Sequence, residues 1–171
     1  MVVNSAHLAS LSGPDSDRWL PIFWALDSFK DSQAKTIKEC DGWRMAPVKE
    51  ASVPPARKAR QAFVAALESW DAPAADAAIA GVVRSAGADE VLELFWRYAP
   101  RDFRDIGHKI IFAANSKRAL DTIGWHHAEP VLRSLVYALM AHNGDNPAKR
   151  DDPVDRPGRA NLELIKQFPD N

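Results

Sequence analysis

The sequence predicts an all-α protein, a single domain of about six or seven helices packed as antiparallel helix pairs. Three observations support this prediction. Apolar residues recur at helical spacing in most of the long segments. No segment alternates apolar and polar residues over several positions, as a half-buried strand would. The connections between the middle segments are very short, which favours antiparallel neighbours.

The first predicted helix runs from about Asp15 to Glu39, and residues 1–14 before it are expected to be irregular. Pro21 falls near its first turn, where proline is tolerated. A loop from Cys40 to Pro55 follows, because a glycine and several prolines interrupt it. The apolar side chains of this first helix are Trp19, Leu20, Phe23, Trp24, Leu26 and Phe29.

Three shorter helices are predicted next. An amphipathic helix spans Pro55 to about Trp70, and an alanine-rich helix spans about Ala74 to Ser85. Within the alanine-rich helix, Gly81 indicates a close approach to another helix. The helix Asp89–Tyr98 is capped at its N-terminus by Asp89 and ends before Pro100.

A long helix is predicted from Arg101 to Ile123, where Gly124 ends it. Apolar side chains surround this helix almost completely, and helices of that kind are usually buried. We therefore expect it to lie in the centre of the domain.

The last third of the chain is predicted to hold two more helices. One begins near Glu129, where Pro130 suits a first turn, and runs to His142. Residues 143–157 are rich in turn-forming residues and are expected to be irregular. A short final helix then covers Gly158 to Phe168, and Pro169 stops it.

Composition limits the range of partners. The formal net charge is −1 and the basic residues are scattered, so we expect neither nucleic acid nor a membrane as a partner. The lone Cys40 rules out an internal disulfide framework and is typical of a soluble, cytoplasmic protein. A small-molecule ligand and a homo-oligomer are the partners that remain.

Histidines concentrate in one region of the chain. Four of the five lie between Arg101 and His142, in otherwise apolar surroundings. Since buried polar groups need hydrogen-bond partners or a ligand, this region is the predicted functional site. The four are His108, His126, His127 and His142.

Helical periodicity arranges the polar residues of this region into two stripes. Four polar residues of the long helix fall within about 40° of one another around its axis. Three polar residues of the next helix are spaced i, i+4, i+8 on one face. The first stripe contains Arg104, His108, Asn115 and Thr122, and the second contains Glu129, Arg133 and Tyr137.

These stripes suggest roles in a polar, histidine-lined pocket. His108 is the predicted principal ligand or catalytic base, with Tyr137 as a second catalytic residue. Arg104, Asn115 and Arg133 are predicted to bind a flat organic substrate.

A metal ion is an alternative ligand, and the sequence identifies no other cofactor. His126, His127 and Glu129 form the predicted metal set, since His126 and Glu129 have the i, i+3 spacing that helical carboxylate bundles use. A third interpretation treats the histidines as structural and Glu129–Arg133 as an ordinary helix pair.

The segment DIGHKIIFAANSKRALDTIGWHHAEPVLRSLVYAL resembles a stretch of uncharacterised bacterial helical proteins and, distantly, of the questin-oxidase-like family. The resemblance covers about Arg101 to Leu139, with an echo in RWLPIFWALDSFK. It implies an oxidoreductase whose prototype performs a Baeyer–Villiger-type ring opening of a polyketide quinone. The corresponding positions are His108, His126 and His127. Those proteins are longer, so the chain is interpreted as a fragment or a reduced relative.

Two functional hypotheses follow. In the first, the chain is an oxidoreductase-like protein whose histidine-lined pocket binds a metal or a flat organic ligand. In the second, it is a non-catalytic helical module that binds another protein chain, for example a second copy of itself. The sequence leaves open whether the protein is an enzyme.

Overall fold

The structure, a computed structural model, describes residues 2–168 and confirms the all-α prediction. Within this range there are eight α-helices and no strand. None of these helices combines the length and apolar character needed to cross a membrane. The helices are α1 Val2–Ser12, α2 Leu20–Glu39, α3 Ala56–Ser69, α4 Ala72–Val83, α5 Ala88–Tyr98, α6 His108–Ile123, α7 Ala128–Met140 and α8 Arg156–Ile165.

Both ends of the chain differ from the sequence-based expectation. Residues 2–12, expected to be irregular, form α1. The last helix is α8, which begins and ends earlier than the predicted Gly158–Phe168. The predicted stop at Pro169 lies outside the described residues. Residues 143–155 contain two short 3₁₀ turns and no α-helix.

The chain divides into two compact units, Met1–Pro47 and Val48–Asn171, so the predicted single domain is not confirmed. In the N-terminal unit α1 packs against α2. Ala6 is the one buried side chain among the described residues of this unit. The large apolar side chains of α2 are exposed instead.

The core of the C-terminal unit forms around α4, which packs against both α3 and α7. Eight consecutive residues of α4, numbers 75–82, are buried. Most of them are small, and small side chains let neighbouring helix backbones approach closely. The largest core side chains come from the surrounding helices, among them Phe63, Leu67, Leu94, Phe95, Leu132 and Leu139.

Gly81 lies at a close approach of α4 to its neighbours, as the sequence predicted. A methyl group on Gly81 would lie 2.9 Å from the carbonyl oxygen of Pro54 and 3.1 Å from Cβ of Ala59 in α3. We expect Gly81→Ala to lower the free energy of unfolding by about 1–3 kcal/mol, since the overpacking outweighs the better helix propensity of alanine. Urea unfolding followed by circular dichroism measures this change.

Gly87 provides the matched control for this substitution. It lies just before α5 with a φ of −70°, and a methyl group there would meet no atom within 4 Å. Gly87→Ala should cost less than Gly81→Ala, about 0.5 kcal/mol, because it loses only the preference of a helix N-cap for glycine over alanine. Equal effects of the two substitutions would show that the α3–α4 contact is looser than described.

The prediction of a long helix from Arg101 is wrong for its first seven residues, because α6 begins only at His108. Asp105, Ile106 and Gly107 adopt left-handed φ values of 53°, 48° and 84°, which a right-handed helix cannot contain. The expectation that this helix is buried all round is also wrong. Its buried residues are Lys109, Ala113 and Leu120, whereas Ile106 in the preceding turn is 76% exposed.

Candidate functional site

Trp70 lies at the centre of a charged cluster in the C-terminal unit. It ends α3 in a left-handed conformation, and its indole ring faces three cations. The Arg101 guanidinium carbon lies 3.8 Å from the ring centroid, and the Arg104 guanidinium carbon and Lys109 Nζ each lie 4.9 Å from it. Each contact has the geometry of a cation–π interaction. The His142 ring approaches the same indole edge-on, at 5.4 Å between centroids.

A buried ion pair lies beneath this aromatic ring. Lys109 Nζ donates hydrogen bonds to Asp102 Oδ2 at 3.0 Å and to the Leu139 carbonyl oxygen at 2.8 Å. The side chains of Asp102 and Lys109 are 0% and 2% exposed. Burial lowers the pKa of Lys109, while the hydrogen bond and charge of Asp102 act to raise it. The ammonium group is therefore held in place by the carboxylate and the end of α7.

Arg104 connects the cluster to the irregular C-terminal segment. Its Nη2 donates to Asp155 Oδ2 at 2.8 Å and to Asp152 Oδ2 at 3.1 Å. The hydrogen bonds to Asp155 are the main cause that raises the pKa of Arg104. The backbone N–H of Phe103 also donates to the Val154 carbonyl oxygen at 3.4 Å. These contacts hold residues 152–155 against the left-handed turn that precedes α6.

A cleft of about 560 Å³ opens over this cluster. It lies between the start of α6, the end of α7 and residues 143–154. The volume is in the range of small-molecule sites, roughly 300–1,000 Å³. The lining residues are Arg104, Asp105, Lys109, Phe112, Ala138, Ala141, His142, Asn143, Arg150, Asp152 and Val154.

Two groups on the cleft wall have hydrogen-bonding capacity to offer a ligand. Arg150 Nη2 donates to the Asn143 carbonyl oxygen at 2.9 Å and lies 3.2 Å from Asp152 Oδ2, but Nε of Arg150 is buried without a hydrogen-bond partner in the described residues. His142 Nδ1 lies 2.9 Å from the Met140 carbonyl oxygen. A carbonyl can only accept, so Nδ1 carries the hydrogen and Nε2 is the acceptor of the neutral ring.

The structure gives the two predicted catalytic residues different partners. His108 Nδ1 donates to the Asp105 carbonyl oxygen at 2.6 Å, and the His108 ring stacks on Phe112, which lines the cleft. His108 itself is not part of the cleft lining. Tyr137 interacts with Asp76 of α4, and burial is the main cause that raises its pKa.

The three predicted substrate-binding residues also separate. Arg104 lies at the cleft, where carboxylates of the C-terminal segment already bind it. Asn115 donates from Nδ2 to the Ile111 carbonyl oxygen one turn earlier, at 2.8 Å. Arg133 forms a buried two-point ion pair with Asp76, at 2.7 Å and 2.9 Å.

The predicted metal set does not assemble into a metal site. His126 and His127 are exposed with their rings 4.0 Å apart. Glu129 instead accepts two hydrogen bonds from Arg84, at 2.7 Å and 3.0 Å. Across residues 2–168 there is no group of three or more His, Cys, Asp or Glu side chains placed to hold a metal ion.

Sequence reasoning missed most of the cluster, namely Trp70, Asp102, Lys109, Arg150 and Asp155. One signal was present in the sequence. Asp102 and Lys109 are separated by seven residues, which would place them on one face of the predicted helix. The partners supplied by the C-terminal segment carry no such signal, because they lie about 50 residues further along the chain.

No protein-family model, no curated protein and no solved structure matches this chain. The candidate site therefore rests on geometry and chemistry alone, and the resemblance to questin-oxidase-like proteins stays a prediction.

Proposed function

We propose that the cleft between α6, α7 and residues 143–154 binds a small, flat organic carboxylate. The observation that carries this proposal is Arg150 Nε, a buried N–H at the cleft wall that has no hydrogen-bond partner in the described residues. Buried donors are normally satisfied, and leaving one without a partner costs about 1–3 kcal/mol. A bound acceptor would remove that cost once the Arg150 side chain, which is 34% exposed, turns its Nε toward the cleft.

The Arg150 guanidinium favours an anionic acceptor. Arg104 and Lys109 are bound by Asp155 and Asp102, and Arg150 Nη2 lies 3.2 Å from Asp152 Oδ2, so the donor capacity without a partner is at Arg150 Nε. A carboxylate oxygen would form a charge-assisted hydrogen bond with that guanidinium. His142 Nε2 can take part as an acceptor, or as a donor once the ring is protonated.

The other walls of the cleft suit a flat, apolar ligand body. Ala138 and Ala141 present small apolar surfaces at the end of α7, and Val154 faces them from the C-terminal segment. Phe112 adds an aromatic face, supported from behind by the stacked His108 ring at 6.0 Å. The ring of an aromatic acid would contact these surfaces while its carboxylate reaches Arg150.

The proposal concerns binding and does not assign a reaction. The oxidoreductase activity implied by the resemblance stays a prediction. His108, its principal candidate base, donates through Nδ1 to its own turn and stands behind Phe112. The role of His108 in this proposal is to support the aromatic wall.

Benzoate tests the proposal directly, with benzamide as a neutral ligand of the same shape. We expect benzoate to bind the full chain saturably in titrations followed by amide NMR, with the largest shifts at residues lining the cleft. Benzamide should bind roughly tenfold or more weakly, because it lacks the charge that strengthens the hydrogen bond to Arg150.

A pair of arginine substitutions locates the binding. Arg150→Met should weaken benzoate binding about tenfold or more, since a hydrogen bond to a charged group is worth about 1.5–3 kcal/mol. Arg60→Met is the control, because Arg60 lies on the surface in an exposed pair with Glu93. Equal binding of benzoate and benzamide, or benzoate binding unaffected by Arg150→Met, would refute the proposal.

A further inference from the structure

The N-terminal unit exposes an unusual amount of aromatic surface. Trp19, Phe23, Trp24 and Phe29 are each between 55% and 65% exposed, although they belong to or directly precede one helix. Ala6 is the one described side chain that this unit buries. Since helices in proteins are stabilised mainly by packing of an apolar face, α1 and α2 lack the burial that normally holds such helices together.

The aromatic area is divided between faces of α2. Trp24 and Phe29 lie about 100° and 120° around the helix from Phe23, on opposite sides, whereas Trp19 lies close to Phe23. Two aromatic side chains of about 150–250 Å² each, more than half exposed, therefore present roughly 200 Å² on one face. This is about a quarter of the ~800 Å² that each partner contributes to a standard interface, so the other residues of that face supply the rest. Aliphatic side chains such as Leu20 and Ile37, 64% and 65% exposed, extend the same surface.

The residues along one side of α2 have the spacing of a helix–helix seam. Six exposed positions alternate at intervals of three and four residues over the 20-residue helix. Apolar residues occupy both ends of this stripe and an acidic and a basic residue occupy its middle. The α2 stripe consists of Leu20, Phe23, Asp27, Lys30, Ala34 and Ile37.

The order of these residues is self-complementary in one orientation. If two copies of α2 pair antiparallel about a two-fold axis, Leu20 faces Ile37 of the other copy and Phe23 faces Ala34. Asp27 of each copy then faces Lys30 of the other, which gives two matched charge pairs. Neither Asp27 nor Lys30 has an ion-pair partner among residues 2–168. A parallel pairing in register would place like charges together.

The charge of the N-terminal unit disfavours an anionic membrane surface or a nucleic acid as the occupant. Residues 1–47 carry five basic and six acidic side chains. An anionic membrane surface or a nucleic acid would be attracted by an excess of basic residues, which this unit lacks. A second copy of the chain supplies both the apolar area and the complementary charges.

We propose that the protein is a homodimer in which the α2 stripes of two copies pack antiparallel, so that the two α1–α2 pairs form a four-helix assembly. This inference is independent of the proposed ligand cleft, because no residue of the cleft belongs to the N-terminal unit.

Sedimentation equilibrium of the full chain tests the dimer. We expect a dimer at micromolar concentrations and a dissociation constant that rises roughly a hundredfold or more in Phe23→Asp, since each copy loses the aromatic contact of its stripe and places a charge there. Phe168→Asp is the matched control, because Phe168 is similarly exposed at 72% but lies outside α2. A monomer at all concentrations, or equal weakening by both substitutions, would overturn the proposal.

Charge exchange tests the antiparallel orientation. Asp27→Lys and Lys30→Asp should each weaken self-association about tenfold or more, since both matched pairs become like-charge pairs. The two variant chains mixed together should form a heterodimer, and the double exchange in one chain should restore the homodimer. Both positions are exposed in each copy, so folding is preserved. A double exchange that dimerises no better than the single variants would overturn the proposed pairing.

Discussion

Asp102→Asn should lower the free energy of unfolding by about 3–5 kcal/mol, because it leaves the Lys109 ammonium buried without a counter-charge. The amide preserves the volume of the side chain and an acceptor for the backbone N–H of Arg104, which now donates to Asp102 Oδ1 at 2.9 Å. The loss therefore reports the charge and the acceptor that Oδ2 offers Lys109, and not a change of shape. Urea unfolding monitored by circular dichroism measures it.

A double substitution provides the control for this prediction. Lys109→Met removes the ammonium group, so adding it to Asp102→Asn should give a smaller loss than the sum of the two single losses, by more than about 1 kcal/mol. Additive losses would mean that Asp102 and Lys109 do not stabilise one another.

Asp76→Asn should also lower the free energy of unfolding by about 3 kcal/mol or more, because Arg133 then keeps its charge in a buried site without a carboxylate. Asp76 and Arg133 are 8% and 6% exposed, and their two hydrogen bonds join α4 to α7 across the core. Glu93→Gln is the control. It breaks the exposed pair with Arg60, in which each side chain is more than half exposed, and should cost less than about 1 kcal/mol.

Tyr137 offers a second measurement on the same variant. Burial is the main cause that raises its pKa, and the charge of Asp76 raises it further. Asp76→Asn should therefore lower the pKa of Tyr137 in a phenolate absorbance titration. The chain has two tyrosines, and the pKa of Tyr98, raised to about 12 by burial and Glu68, should stay where it is. An unchanged Tyr137 titration would show that Asp76 does not act on it.

Helical periodicity predicted the fold class and most helix positions, because these depend on local spacing of apolar residues. The contact at Gly81 was also visible, since a glycine among alanines inside a helix leaves room for a neighbouring backbone. The start of α6 was not predictable in this way. Three successive left-handed residues end the helical pattern at Asp105–Gly107, and one of them, Ile106, is a β-branched residue of a type that rarely adopts that conformation.

The candidate site was only partly predictable, since its members find partners far along the chain. Arg104 was identified as a binding residue, but the carboxylates that bind it come from the segment around Asp155. Glu129 was assigned to a metal set from its spacing to His126, whereas the fold pairs it with Arg84, 45 residues earlier. Spacing within a helix describes which residues share a face. It carries no information about which distant side chain meets that face.

The Nε–H resonance of Arg150 during a benzoate titration tests the central claim most directly. Its assignment is made by its disappearance in Arg150→Met. A charge-assisted hydrogen bond to a bound carboxylate should move this resonance downfield. Its shift should reach a plateau at the same benzoate concentration as the shifts of the amide resonances of the cleft. The proposed site would be contradicted if the Arg150 Nε–H resonance stays in place while the resonances of other residues shift to a plateau with benzoate.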